Sequence, residues 1–232
     1  MKRLSQPQRY FYQSIADRFD SLDNPYDLSR RLAVIFDDLL AGCNLRDQLV
    51  LDAGCGYGPF SRAIADQRAR VISCDIAEKL VKRTLTGTGS SGVVCDAGQS
   101  SFRNDTFDWV ISSEMIEHTE SPDHTLRELA RVLKPGGCLA LTTPNKVWQW
   151  LVRLGSRLNA RPFHGLENFV GWNELENLCL CQNLKIVRHI GFHPWPFQIR
   201  LWKLSEAIDA RFGQSRWATV MINQGILACK TA

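Results

Sequence analysis

Three glycines alternate with other residues at the end of an apolar run, in Val50-Leu51-Asp52-Ala53-Gly54-Cys55-Gly56-Tyr57-Gly58. A helical pattern begins directly after it, at Pro59. Glycine reaches positive φ without a Cβ clash and lets a ligand approach the main chain. A helix that starts here aims its free N-terminal amides at the same place. The run therefore predicts a strand, a tight loop and a helix, with a cofactor over the strand end. A plain turn with no ligand is the alternative.

The remaining chain repeats this unit. Apolar runs at Leu49–Ala53, Val71–Cys74, Gly92–Cys95, Phe107–Ser112 and Cys138–Thr143 alternate with helical patterns at Pro59–Arg68, Glu78–Leu85 and His124–Leu133. Such alternation means βαβ units and a parallel sheet. The strands are nearly continuous in apolar residues, as in a sheet covered on both faces. Ahead of them, Tyr12, Ile15, Ala16 and Phe19 repeat at helical spacing. Asp23-Asn24-Pro25 breaks that helix, and a second runs from Leu28 to a stop at Gly42 and Asn44. Beyond Asn145 we expect helices at Lys146–Leu158 and Trp172–Leu180 and a sixth strand at Leu184–His189. A Pro- and Trp-bearing connection then leads to a last strand within Trp217–Cys229. One domain is expected: 1–48 helical cover, 49–145 cofactor-binding core, 146–216 substrate-side helices, sixth strand and connection, and 217–232 last strand.

The loop reads G-x-G-x-G, one residue short of the G-x-G-x-x-G that receives a dinucleotide pyrophosphate. Asp52 stands two residues ahead of it, and a carboxylate there suits a cationic ligand rather than a phosphate. Asp75 and Asp96 end the second and third strands. Successive strand ends line one crevice, where Asp75 can accept ribose hydroxyls. Asp96 and the Ala97 amide can meet an adenine edge. S-Adenosylmethionine fits these demands, with a sulfonium, an α-ammonium and no phosphate.

The segments LDAGCGYG, SCDIA, VCDA, FDWVISSEMIEH and LKPGGCLALTTPN occur in that order. Together they resemble the class I S-adenosylmethionine-dependent methyltransferases over roughly residues 10–190. The resemblance implies a Rossmann-like α/β fold. Its seven-stranded, mostly parallel sheet has the order 3-2-1-4-5-7-6, an antiparallel last strand and helices on both faces. It implies S-adenosylmethionine as cofactor, with Asp52, Gly54, Gly56 and Gly58 around the methionine part. Asp75 and Ile76 would take the ribose, Asp96 and Ala97 the adenine, and Ser113 would line the cofactor by its backbone. Tyr12, in the pattern Tyr12, Ala16, Phe19, Asp20, is similar to the helix that covers the cofactor.

Ser113-Glu114-Met115-Ile116-Glu117-His118 follows the fourth strand. On a helical turn Glu114, Glu117 and His118 share one side. Two carboxylates and an imidazole suit Mg, Mn or Zn, general-base work without metal, or a structural cap. The segment resembles the ubiquinone-biosynthesis O-methyltransferases, which also match at Thr143-Pro144-Asn145. It resembles the small-RNA 3′-terminal 2′-O-methyltransferases too, where His164 would supply a further ligand. The expectation is catalysis by Glu117 and His118, with Glu114, Glu117, His118 and His164 as metal ligands. A vicinal diol would chelate that metal through one oxygen and be methylated on the other.

The most favoured activity is O-methylation of a small or lipid-linked acceptor, a quinone-like ring or a sugar hydroxyl. RNA ribose 2′-O-methylation and a non-catalytic cofactor-binding partner subunit are the alternatives. The net charge of +4, without Lys/Arg clusters, counts against nucleic acid. Val147, Trp150, Leu151, Leu154 and Leu158 form a helical stripe beside Lys146, Arg153, Arg157 and Arg161. That stripe either packs on the core or makes peripheral membrane contact through 146–161. His193–Trp202 would wall an apolar pocket, with His193 near the substrate mouth. No apolar run reaches the roughly 18 residues of a membrane span. The eight cysteines show no C-x-x-C spacing, so they read as reduced, buried packing in a cytoplasmic protein.

Overall fold

The computed structural model describes residues 6–157 and 167–231. Its strands are β1 (Leu49–Ala53), β2 (Arg70–Asp75), β3 (Ser91–Val94), β4 (Phe107–Ser113), β5 (Leu133–Pro144), β6 (Leu184–Phe192) and β7 (Asn223–Lys230). They form one sheet in the order β3-β2-β1-β4-β5-β7-β6. β7 runs antiparallel to both β5 and β6. The expected α/β fold and strand order are thus observed.

Alternation along each strand builds two cores. Leu51, Val110, Leu139 and Leu141 point to one face, under Leu126 and Leu129 of α6 (Pro122–Val132) and Leu175 of α8 (Trp172–Cys181). Val50, Ile111 and Ala140 point to the other, under Phe60 and Ile64 of α4 (Pro59–Asp66) and the turns at 34–40. Fully burying each such large side chain contributes about 1.5–3 kcal/mol. α5 (Glu78–Thr88) closes the β2–β3 edge with Leu80 and Val81.

The cover begins with α1 (Gln6–Ile15), α2 (Phe19–Leu22) and α3 (Pro25–Ala33). Asn24 starts α3: its side chain accepts from the amides of Tyr26 and Asp27, and Pro25 takes the first helical position. The helix widens into a π-turn over Val34–Leu39, where Val34, Ile35 and Leu39 are buried. The Arg188 guanidinium on β6 donates to the Leu39 and Ala41 carbonyls and closes that end.

The C-terminal third differs most from expectation. β5 begins at Leu133, five residues before Cys138, because Leu133 already pairs with Phe107 of β4. The last strand begins only at Asn223; Arg216–Val220 is a 3-10 turn in which Trp217 and Val220 are exposed. The connection holds a further helix, α9 (Trp202–Phe212), whose Leu204 and Phe212 face solvent. The Lys146 helix is a 3-10 turn, Lys146–Trp148, followed by α7 (Gln149–Arg157). Val147, Trp150 and Leu154 are exposed there, so that stripe does not pack on the core. Leu158 and Arg161 lie outside the described residues. No helix among the described residues is long and apolar enough to cross a membrane.

The cysteines need a correction. Cys138 and Cys229 are joined by a disulfide. The antiparallel register of β5 and β7 sets them directly opposite each other. A pairing across 91 residues of chain leaves no trace in local spacing. The other six, Cys43, Cys55, Cys74, Cys95, Cys179 and Cys181, are free thiols. Alkylation in denaturant, read by intact mass, should therefore modify six cysteines without reductant and all eight with it. Eight modified without reductant would exclude the bond.

Candidate functional site

The glycine loop folds as its sequence demands. Gly54, Gly56 and Gly58 take φ of 79°, 53° and 98°. A Cβ on Gly54 would lie 2.4 Å from Met115 Cγ, so loop and β4 extension close on each other only through glycine. The Gly54 and Cys55 amides donate to the Cys74 carbonyl at 2.8 and 2.9 Å. Asp75 completes the fixture: Oδ2 accepts from the Gly56 amide at 3.1 Å and Oδ1 from the Ala77 amide at 2.9 Å. Burial pushes the Asp75 pKa up, and the two amides oppose that.

These strand ends border a cavity of about 360 Å³, within the size range of small-molecule sites. Gly54, Gly56, Asp75, Ile76, Asp96, Ala97 and Ser113 line it from the sheet. Tyr12, Phe19 and Leu22 line it from the cover. Glu114, Glu117, His118, Pro144, Glu167 and Phe169 form another wall. A carboxylate offers about four lone-pair positions, so Asp75 can still receive hydroxyl donors. Asp96 likewise spends one oxygen on the Gly98 amide, at 2.8 Å. An acidic crevice with several aromatic walls and open acceptors fits a cationic nucleoside such as S-adenosylmethionine.

Two expected cofactor contacts lie elsewhere. Asp52 is buried behind the loop and does not line the cavity. Its Oδ2 accepts from Ser61 Oγ, which in turn meets Ser73 Oγ at 2.7 Å. Burial pushes its pKa up to about 7, against the Ser61 hydrogen bond. Asp52 thus ties α4 to β1 and β2 instead of facing a cation. Gly58 caps α4, and its missing Cβ makes room for Thr84.

The metal reading also changes. Glu114 takes a φ of 51°, and only Ile116–His118 forms a helical turn, of 3-10 type. The three side chains therefore do not share a helical face. Glu114 Oε2 accepts from Asn223 Nδ2 at 3.1 Å, and Glu117 Oε2 from Thr143 Oγ1 at 3.0 Å. Glu117 Oε1 lies 3.9 Å from His118 Nε2. Among the described residues no three His, Cys, Asp or Glu side chains are arranged to hold a metal ion. Glu114, Glu117 and His118 by themselves do not form a metal site, and His164 lies outside the described residues.

Sequence reading missed a charged cluster. Asp23, Asp27 and Arg31 line the cavity from α3 and the turn before it. Arg31 Nε donates to Asp27 at 2.8 Å and Nη2 to Asp23 at 2.6 Å. Burial works against the Arg31 charge, but Asp27 and Asp23 outweigh it and hold the pKa above the ordinary value. Asp27 and Arg31 are spaced i, i+4, which looks like any exposed helix pair. His193 packs behind Asp27 rather than at the mouth, and none of His193–Trp202 lines the cavity.

Burial pushes the Glu117 pKa up to about 8, with the Thr143 hydrogen bond and Arg31 opposing. Glu114 rises too, from burial and from Glu117 beside it. The folded chain thus keeps a proton on Glu117 that an unfolded carboxyl releases near 4.5. The resulting destabilisation is absent below that pH, grows as pH rises and is complete above about 8. Glu117→Gln should therefore gain melting temperature relative to the parent between about pH 5 and about pH 8.5. A difference constant with pH would refute the raised pKa.

The family model described as "Methyltransferase domain" matches residues 51–141. A ubiquinone biosynthesis O-methyltransferase of Xanthomonas oryzae pv. oryzae is 33% identical over 218 residues, covering 84% of this chain and 91% of its own. The same-named protein of Rhizobium rhizogenes is 29% identical over 174 residues, 70% of each chain. The solved structure of magnesium protoporphyrin IX methyltransferase from Synechocystis, with bound S-adenosylhomocysteine, superposes with a TM-score of 0.68 at 18% identity. That match covers 97% of this chain and 100% of the other. With this fold, this crevice and these relatives, the chain belongs to the S-adenosylmethionine-dependent methyltransferases of class I and is similar to those of ubiquinone biosynthesis.

Proposed function

We propose that the chain methylates a hydroxyl of a small or lipid-linked acceptor, with Glu117 as general base. The observation that carries this is a buried carboxyl on the cavity wall, beside His118, with its pKa pushed up to about 8. When bound, S-adenosylmethionine supplies an electrophilic methyl group on sulfur. Asp75 holds the ribose hydroxyls, and Asp96 with the Ala97 amide holds the adenine edge. Gly54 and Gly56 admit the methionine part, and Tyr12 covers it. Arg31 is the sole Lys or Arg among the described lining residues. It is the natural partner of the cofactor's α-carboxylate.

A phenol titrates near 10 and is a weak nucleophile until it loses its proton. A base of pKa near 8 is well matched to take that proton close to neutral pH. His118, partly exposed and 3.9 Å from Glu117, would close on it to pass that proton outward. Alignment of oxygen, methyl and sulfur supplies much of the remaining acceleration. No step requires a metal. The names of the relatives favour a quinone-like ring over a sugar. The exposed Val147, Trp150 and Leu154 beside Arg153 support peripheral contact with an anionic bilayer, where a lipid-linked acceptor resides.

Calorimetry should show binding of S-adenosylhomocysteine and none of NAD. With a catechol-type acceptor, turnover should rise with pH through about 8. Glu117→Gln should lower kcat by about 10²–10⁴ while leaving the Kd for S-adenosylhomocysteine unchanged. Chelator treatment should leave the rate intact. Full activity of Glu117→Gln would end the base assignment, and loss of activity on chelation would restore the metal reading.

A further inference from the structure

We propose that His193 is a positioning residue for the cofactor, acting through Asp27 on Arg31. This rests on the assignment of Arg31 to the cofactor's α-carboxylate. Asp27 divides its two oxygens between two donors. Oδ2 accepts from Arg31 Nε at 2.8 Å, and Oδ1 accepts from His193 Nε2 at 3.0 Å. Arg31 and His193 overcome the cost of burying Asp27 and hold its pKa below the ordinary value. An ionised carboxylate only accepts, so the shared proton sits on His193 Nε2.

His193 is shaped for this one contact. It is fully buried and takes a φ of 60° directly after β6. Its carbonyl accepts from the Ile222 amide at 2.9 Å, while its Nδ1 has no hydrogen-bond partner among the described residues. Without the imidazole N–H, Asp27 is free to rotate and Arg31 loses a fixed direction toward the cavity. The segment after β6 grips α3 at two further points, both away from the cavity. Trp202 stacks on Tyr26 at 4.9 Å, and Asp209 accepts from Arg30 Nε at 3.0 Å. Neither Tyr26 nor Arg30 lines the cavity. These contacts separate anchoring of the helix from aiming of the guanidinium.

The test measures two ligands. S-Adenosylhomocysteine carries the α-carboxylate, whereas methylthioadenosine keeps adenine, ribose and sulfur without it. His193→Leu should weaken S-adenosylhomocysteine about tenfold, a shift of about 1.4 kcal/mol, and leave methylthioadenosine within about twofold. kcat at saturating cofactor should stay within about twofold while KM for the cofactor rises. His193→Gln, which keeps an N–H donor, should restore the affinity. Trp202→Leu, which removes the stack on Tyr26, should lower the melting temperature with no selective effect on S-adenosylhomocysteine. If His193→Leu does not fold, Asp27→Asn is read by the same pair of ligands. Equal weakening of both ligands, or His193→Gln as poor as His193→Leu, would overturn the proposal. Arg31→Met separates it from the assignment beneath it. If Arg31→Met leaves S-adenosylhomocysteine affinity unchanged, both fail. If only Arg31→Met weakens it, the relay alone fails.

Discussion

The carboxylate of Asp75 is the fixture on which the site depends. A buried carboxylate must be hydrogen-bonded to remain at low cost. Here both oxygens find main-chain amides, one from the glycine loop and one from the turn into α5. A single side chain thereby ties the glycine loop after β1 to the turn after β2, beside the backbone pairing of the two strands. Positive φ at Gly54 and Gly56 lets the loop meet it. Everything bordering the cavity on that side is positioned relative to this junction.

The opposite side is organised by charge. Desolvation alone would drive the Arg31 guanidinium out to water, and two aspartates hold it in place. Tyr57 Oη donates to Asp23 at 3.1 Å, so the cluster also reaches back to the glycine loop. Glu114 and Glu117 are treated differently. Among the described residues their side-chain hydrogen bonds come from neutral groups, Asn223 and Thr143. Neutral partners compensate burial less than cations do, and the carboxyls remain proton-rich. One cavity thus holds Asp27, whose pKa is lowered, beside Glu114 and Glu117, whose pKa values are raised.

The fold was legible in the sequence because the signals were local. Apolar runs, the glycine loop and the strand-end acids each lie within a few residues. Asp75, Ile76, Asp96, Ala97, Ser113, Glu117, His118 and Tyr12 do border one cavity. What failed was nonlocal or geometric. Asp52 looks identical in sequence whether it faces a ligand or Ser61 behind the loop. The helical face drawn for Glu114, Glu117 and His118 assumed a backbone that the φ of Glu114 breaks. The Asp27–Arg31 pair reaches the cavity only because the cover folds it inward. The Cys138–Cys229 bond needed a strand register that no spacing reveals. α9 escaped notice because its apolar residues are largely on the surface.

The place of β7 has a further consequence. It is the last strand in the chain, yet it lies between β5 and β6. Asn223, at its start, pairs with Pro144 and holds Glu114. During synthesis β5 and β6 therefore have no common neighbour until β7 emerges. The residues that line the cavity from β1 to β4 precede it in the chain, whereas Glu114 on the acidic wall takes its Asn223 partner from it. The acidic wall is thus coupled to a strand that is synthesised after the six others.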